Sequence, residues 1–419
     1  MLIAGKAPYT LRGELPGSRD NYVHFVQDPF DMASLVRPYV KWDYSLPSGV
    51  IAKEVLRRGH SVMQSDPQGP VYLTLPREVL AETVPSDKVQ AYSGERYGAV
   101  QAGGIDEERA QAIAEQLLSA KSPMAVTSYL GRKAEAVAAL EDLALLCGIQ
   151  VFEFSPSHMN IDRASPCFGG FESAKAVAVA DVGLLLDVDV PWLPKFVQTN
   201  SATRWTHIDV DTIKKDFPMW GFATDMRVQA DCAIVLRQVA KIVREKADDA
   251  FHQKVSERID TWLAASNERK AGIARAAADH GKTGAISAAY LCAALGAAIA
   301  PEDIVINEAI RNTFAVLNQI PRSQPLTLLS GAGGGLGYSG GMALGAQLAN
   351  PKVRVLQIVG DGGFHFSTPT SVYSTAQRYN LPIFTVVLDN GGWQAVKEAV
   401  LRVYPAGSAV DADEFHARL

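Results

Sequence analysis

Apolar runs and polar breaks alternate along this chain in the rhythm of strands and helices laid in turn. The sharpest case lies between Val353 and Trp393. Val353, Val355, Leu356, Ile358 and Val359 form an apolar run that ends at once in Gly360-Asp361-Gly362-Gly363. A short amphipathic stretch follows, and a second β-branched run, Ile383 to Leu388, ends in Asp389-Asn390-Gly391-Gly392. Runs this apolar and this short suit strands buried on both faces. The pattern predicts strand, glycine turn, helix, strand: one βαβ unit of a parallel sheet.

The same rhythm extends upstream. From Ile105 it predicts a helix to Ala120, a strand Met124–Leu130 and a helix to Cys147. Strands around Val151–Phe154, Val182–Val188 and Trp205–Val210 complete a small Rossmann-like unit. Near the start, Met1 to Gly5 reads as the end of a strand, Leu46 to Arg58 as a helix, and Val71 to Leu75 as a strand closed by Pro76. A linker rich in Pro, Ser and Gly runs from about Glu82 to Gly104, and a charged, alanine-rich surface helix from about Ala240 to Lys282. The predicted fold class is α/β, with three Rossmann-like, doubly wound parallel-sheet domains at 1–85, 105–245 and 283–419.

Composition narrows the function classes. With 419 residues, 47% hydrophobic and 20% charged, the chain is globular, and its net charge of −5 without a basic block argues against a nucleic-acid partner. Cys147, Cys167, Cys232 and Cys292 are far apart and form no C-x-x-C, as expected of free thiols in a reducing compartment. No apolar run is long enough to span a membrane, and Lys6, Pro8 and Arg12 break the start as a signal peptide, so the expected location is the cytoplasm. The glycines of the central unit never form G-x-G-x-x-G, which leaves little support for a dinucleotide oxidoreductase. Asp209 and Asp211 could reach a ribose hydroxyl, but loop capping is the commoner use of such residues.

The chemistry concentrates after the two apolar runs, where open α/β sheets place ligands. Asp361 offers a hard carboxylate oxygen and Asn390, 29 positions on, a hard amide oxygen. With a backbone carbonyl, a water and diphosphate oxygens, such a pair makes an octahedral Mg²⁺ site. Gly360, Gly362 and Gly363 let backbone N–H groups approach a phosphate, and a following helix N-terminus favours its charge. The plain alternative is a strand-turn-helix in which Asp361 only caps the helix.

GDG, just under thirty residues and an Asn closing a strand resemble the signature of thiamin-diphosphate enzymes, in particular acetolactate synthase, benzoylformate decarboxylase and benzaldehyde lyase. The family's usual Asn-Asn is Asp389-Asn390 here. The resemblance implies Asp361, Asn390 and the carbonyl of Gly392 as metal ligands, with Asn307 and Glu308 at the diphosphate end of the cofactor. It makes Leu336 the apolar wedge that bends the cofactor and gives the carbonyl of Gly334 to its 4′-amino group; Asn312 and Thr313 would touch the diphosphate. His365, two residues beyond Gly363, could face the pocket and shuttle protons, although such a residue more often packs beneath the turn or sits at a subunit contact; Trp393 reads as a lid or packing aromatic, and the resemblance brings His24 near the active site.

The resemblance also exposes a departure. Gly69 to Val79 (GPVYLTLPREV) is similar to the second half of the family's pyrimidine-binding domain, yet no glutamate can be assigned as the cofactor-activating residue. Glu14 and Glu54 lie in the wrong segments and are expected to be solvated. The chain is therefore expected to be clipped at both ends, its first and last domains incomplete. The activity implied is a thiamin-diphosphate- and Mg²⁺-dependent carboligase or decarboxylase of 2-oxo acids, acetolactate synthase-like, working as a homodimer or homotetramer. The alternative is an inactive binding or regulatory protein on the same fold. In relatives the central domain carries FAD, ADP or nothing; nothing in this sequence supports FAD.

Overall fold

The structure, a computed structural model, describes residues 1–89 and 93–418. It holds three parallel sheets with helices between their strands, and divides into two compact units, residues 1–103 and the chain from Gly104 onward.

In the first unit, β1 (Leu2–Lys6), β2 (Trp42–Ser45) and β3 (Val71–Pro76) pair in the order β1-β3-β2. Central β3 buries Val71, Tyr72 and Leu73. The helix Ala52–Gln64 adds Val55 to a small core with Leu46, Leu73 and Val79. That helix starts later than the pattern predicts, because Pro47 follows Leu46 and Ser48 then caps a short 3₁₀ turn, Gly49–Ile51, through the Val50 N–H. The predicted linker is tied down where it is described: Val100 N–H donates to Ser65 Oγ and Ala102 N–H to Asp66 Oδ2, both at 2.9 Å. Its residues 90–92 lie outside the described residues.

The second unit contains two sheets. The larger is built from β4 (Pro123–Thr127), β5 (Gln150–Glu153), β6 (Phe168–Gly170), β7 (Val182–Leu186), β8 (Arg204–Asp209) and β9 (Met226–Gln229). Its order, β6-β5-β4-β7-β8-β9, is doubly wound, reversing direction between β4 and β7. Helices Ala134–Cys147 and Cys232–Lys246 pack Leu140, Leu143, Val235 and Leu236 into the core with Ala125, Leu184 and Ile208. β4 ends at Thr127, short of the predicted Leu130, because the Ser128 and Tyr129 N–H groups turn aside to the Asp187 carbonyl. The predicted surface helix from Ala240 is instead two helices. The first, Cys232–Lys246, is largely buried on one face; the second, Asp249–Ala278, begins where Asp248 accepts the Phe251 N–H at 2.8 Å. All four cysteines are buried and unpaired, and burial pushes the Cys147 and Cys167 thiols up to about 12.

The smaller sheet orders β10 (Ile304–Glu308), β11 (Leu328–Ser330), β12 (Val355–Gly360) and β13 (Ile383–Leu388) as β11-β10-β12-β13, all parallel. β10 and β12 are buried, as their composition demands. β13 is not: it is the edge strand, and Phe384 is 61% exposed. The two sheets are joined at their ends, where Ser330 N–H donates to the Ser157 carbonyl at 2.9 Å and His158 bridges Leu329. Among the described residues no helix is long and apolar enough to cross a membrane.

Candidate active site

Register brings the two key loops together. Gly360 pairs with Leu388, so the residues that follow β12 and β13 emerge side by side. No glycine turn separates strand from helix: Gly360 is the last residue of β12, and Asp361, Gly362 and Gly363 form the first turn of the helix Asp361–Phe366. Asp361 is only 8% exposed, yet among the described residues no Lys, Arg or His forms an ion pair with it. Its oxygens accept backbone N–H groups instead, Oδ1 from Gly362 at 3.0 Å and Oδ2 from Gly392 at 2.8 Å. The second bond ties the two loops across 31 residues.

The second loop is held by its own residues. Asp389 Oδ1 accepts the Gly391 N–H at 2.8 Å, a side-chain turn that leaves Asn390 exposed at its tip. Gly392 has φ 147°, and a Cβ there would lie 1.9 Å from the Ala417 carbonyl oxygen, so only glycine fits. Its own carbonyl accepts the Gln394 N–H at 2.9 Å.

Glu308, at the end of β10, is 1% exposed and turns its carboxylate to the glycine-rich loop, accepting N–H groups of Gly337 and, at 3.0 Å, Ser339. Asn307 is used for support: Oδ1 accepts the Ala309 N–H at 3.1 Å, and its carbonyl accepts the Tyr338 hydroxyl at 2.8 Å. These groups surround a cleft of about 250 Å³ lined by Glu308, Leu336, Gly360, Asp361, Gly362, Gly363, Asn390 and Gly392. Asn312 and Trp393 line it too, and Leu336, 43% exposed, projects at its mouth.

Other residues singled out in the sequence fall elsewhere. Asn307, Gly334, Thr313 and His365 are not in the lining. His365 is exposed with its ring edge-on to Phe364, because its helix turns that position outward. His24 belongs to the first unit, its Nδ1 3.5 Å from Asp20 Oδ1. Glu14 is exposed and closes its own loop on Leu11 and Arg12 N–H groups, whereas Glu54, expected to be solvated, is half-buried and paired with Arg57. The sequence reading missed Arg311, which lines the cleft and pairs with Glu398 at 2.6 Å, and Phe366, which stacks on Trp393 with centroids 5.9 Å apart. Phe366 lies four positions after Gly362, which also faces Trp393, and that spacing was the available signal.

The reversal point of the larger sheet is filled by the protein itself. Asp209 accepts from the Tyr129 hydroxyl at 2.6 Å and from Lys214 Nζ at 2.9 Å, while Arg132 pairs with Asp187 at 2.6 Å. Burial alone would raise the Asp209 carboxyl; the nearby His207 ring, the Lys214 charge and the hydrogen bond from Tyr129 bring it down to about 2. Asp211 caps the Lys214 N–H at 3.0 Å. Neither aspartate is offered to a ribose.

The residues at the cleft fit Mg²⁺ and a diphosphate. A buried carboxylate with no cationic partner, an exposed amide and a backbone carbonyl form a hard oxygen set, and each Asp361 oxygen keeps lone pairs beyond its single N–H bond. Among the described residues no three His, Cys, Asp or Glu cluster as a metal site, so any metal here would rest on this mixed set. Added Cβ atoms at Gly334, Gly335 and Gly360 would meet nothing within 4 Å, which leaves room along the glycine segment.

Comparison with known proteins agrees with this geometry. Residues 312–415 match the thiamine pyrophosphate enzyme C-terminal TPP binding domain. Benzoylformate decarboxylase of Pseudomonas aeruginosa is 35% identical over 101 residues, 24% of this chain and 19% of that protein. The acetolactate synthase isozyme 3 large subunit of Escherichia coli is 23% identical over 412 residues, 93% of this chain and 67% of its own length. These matches thus span from a fifth to two thirds of the curated relatives. A thiamine diphosphate-dependent 4-hydroxybenzoylformate decarboxylase of Rhodococcus jostii shares the fold, with TM-score 0.71 and 20% identity over 91% of this chain and 69% of that one. Residues 312–415 thus match a thiamine pyrophosphate enzyme C-terminal domain, and most of the chain shares the fold of thiamin-diphosphate-dependent enzymes.

Proposed function

We propose that the cleft binds thiamin diphosphate through Mg²⁺ and that the protein acts on 2-oxo acids, as a decarboxylase or a carboligase of acetolactate synthase type. One observation carries this reading: Asp361 Oδ2 accepts the Gly392 N–H at 2.8 Å, drawing the candidate metal ligands of two loops to one cleft. In this reading Asp361, Asn390 and the Gly392 carbonyl hold the metal. The first-turn N–H groups after Gly360 have no carbonyl partner within their helix and favour phosphate charge. Leu336 supports the cofactor's apolar face, and Glu308 fixes the glycine loop that presents Leu336. The cofactor, when bound, supplies the electron sink for the carbanion left when a 2-oxo acid loses CO₂. Assembly as a homodimer or homotetramer in the cytoplasm belongs to the same proposal.

A second reading, a binding protein without turnover, draws on the first unit. There Glu14, Glu54, Glu78 and Glu82 are each engaged by groups of that unit. The deciding experiment is calorimetric titration of the 419-residue chain with thiamin diphosphate, with and without Mg²⁺, beside Asp361→Ala. Metal-dependent binding that the variant loses is the expected result, and metal-independent or unchanged binding overturns the site. Release of CO₂ from pyruvate or benzoylformate by the loaded protein then separates enzyme from binding protein.

A further inference from the structure

A second cleft, of about 390 Å³, lies away from the cofactor site in the same unit. It is walled by Phe168 of β6, by Arg269, Lys270 and Ile273 of the helix Asp249–Ala278, and by Asn318 and Gln319 at the end of the helix Thr313–Gln319. Arg163 closes it from below. The lining holds three cations, two amides and no carboxylate.

The cations are unequally matched. Arg163, 5% exposed, pairs with Glu153 at 3.0 Å and donates Nη1 to the Leu317 carbonyl at 2.9 Å, which masks part of the negative end of that helix. Its Nε–H is buried and has no acceptor among the described residues. Arg269 stacks over Phe168 and donates to uncharged acceptors only: the Gly169 and Phe168 carbonyls at 3.2 and 2.7 Å and Ser266 Oγ at 3.2 Å. Among the described residues neither Arg269 nor Lys270 has an ion-pair partner. Burial holds Arg269 below the ordinary arginine range, and no carboxylate reverses it. Arg322, which follows Pro321 of the lining, is lowered by burial too, with Asp303 opposing and the Arg163 charge adding to the effect.

Half-buried guanidinium with spare N–H donors is costly unless an anion answers it. The two N–H groups of Arg269 left over from its bonds to Gly169, Phe168 and Ser266, a flexible ammonium at Lys270 and the amide of Asn318 in the same lining together suit a tetrahedral oxyanion. We propose that this cleft binds a small phosphorylated metabolite through its phosphate group, at a site separate from the cofactor cleft. The sugar-sized space beside the cations, walled by Phe168 and Ile273, takes the rest of the molecule.

Inorganic pyrophosphate is the probe, titrated calorimetrically without divalent metal into wild type, Asp361→Ala, Lys270→Glu and Arg269→Gln. Because Arg269 also holds the β6 carbonyls, exposed Lys270 is the variant that reads charge alone. Binding should survive in Asp361→Ala and weaken at least about tenfold in Lys270→Glu and Arg269→Gln, the loss expected for a charge-assisted hydrogen bond. Equal binding in Lys270→Glu and wild type overturns the proposal. So does no binding at several millimolar.

Discussion

A single methyl group separates two kinds of glycine in the run Gly333 to Gly337. Gly337 has φ 88°, and a Cβ there would lie 2.6 Å from the carbonyl carbon of Phe366, a backbone atom that cannot step aside. Gly337→Ala should therefore destabilise the protein by about 2–3 kcal/mol, read as a lower urea midpoint with unchanged slope. Gly334→Ala meets nothing within 4 Å and should leave that midpoint in place, so any effect it has belongs to ligand binding. The letters GGGLG do not distinguish these roles; the approach of Phe366, from a helix more than twenty residues on, does. Asp361 and Asn390 were legible because two strand ends carried them to one sheet edge. His365 was harder to place, because sequence distance from Asp361 says nothing of which way a helix turns.

At the scale of elements, the longest apolar runs were the best predictors. The pattern placed β13 to the residue and β12 within two, since both are short, mainly apolar runs ended sharply by turn residues. β6, three residues with two glycines, is too short and too plain to show a period. The joint between the two sheets of the second unit was also invisible, and it holds a titratable group. His158 bridges Leu329, and its Nδ1 lies 2.9 Å from Ser157 Oγ. Burial and, secondarily, the Arg132 charge push its pKa down to about 4. Protonation thus favours the unfolded chain, whose histidine titrates near 6.5. Stability is complete above that pH and falls as the pH drops toward 4, by as much as roughly 3 kcal/mol. Urea midpoints at pH 7 and pH 4.5 should diverge in wild type and draw together in His158→Gln.

At the scale of the molecule, three sheets were readable from the alternation of strands and helices, but the grouping was not. Contacts such as Arg163 to Leu317 and Ser330 to Ser157 join segments of chain well over a hundred residues apart, and no local pattern encodes them. They merge the second and third sheets into one unit while residues 1–103 form another. Thiamin diphosphate with Mg²⁺ at a hundred times its dissociation constant should then stabilise the larger unit by about 2.7 kcal/mol. Hydrogen exchange is the measurement: added protection should fall on β10 and β12, with β3 unchanged. The smaller sheet has two unlike borders. His158 covers part of β11, whereas β13 has no neighbouring strand on its outer side among the described residues. Ile383 to Leu388 contains neither a charge nor a proline, two of the devices that keep such borders from pairing with other chains. In colloidal terms this strand is adhesive: crowding should bring molecules together there first, and solubility should be governed by six residues rather than by the net charge of the whole.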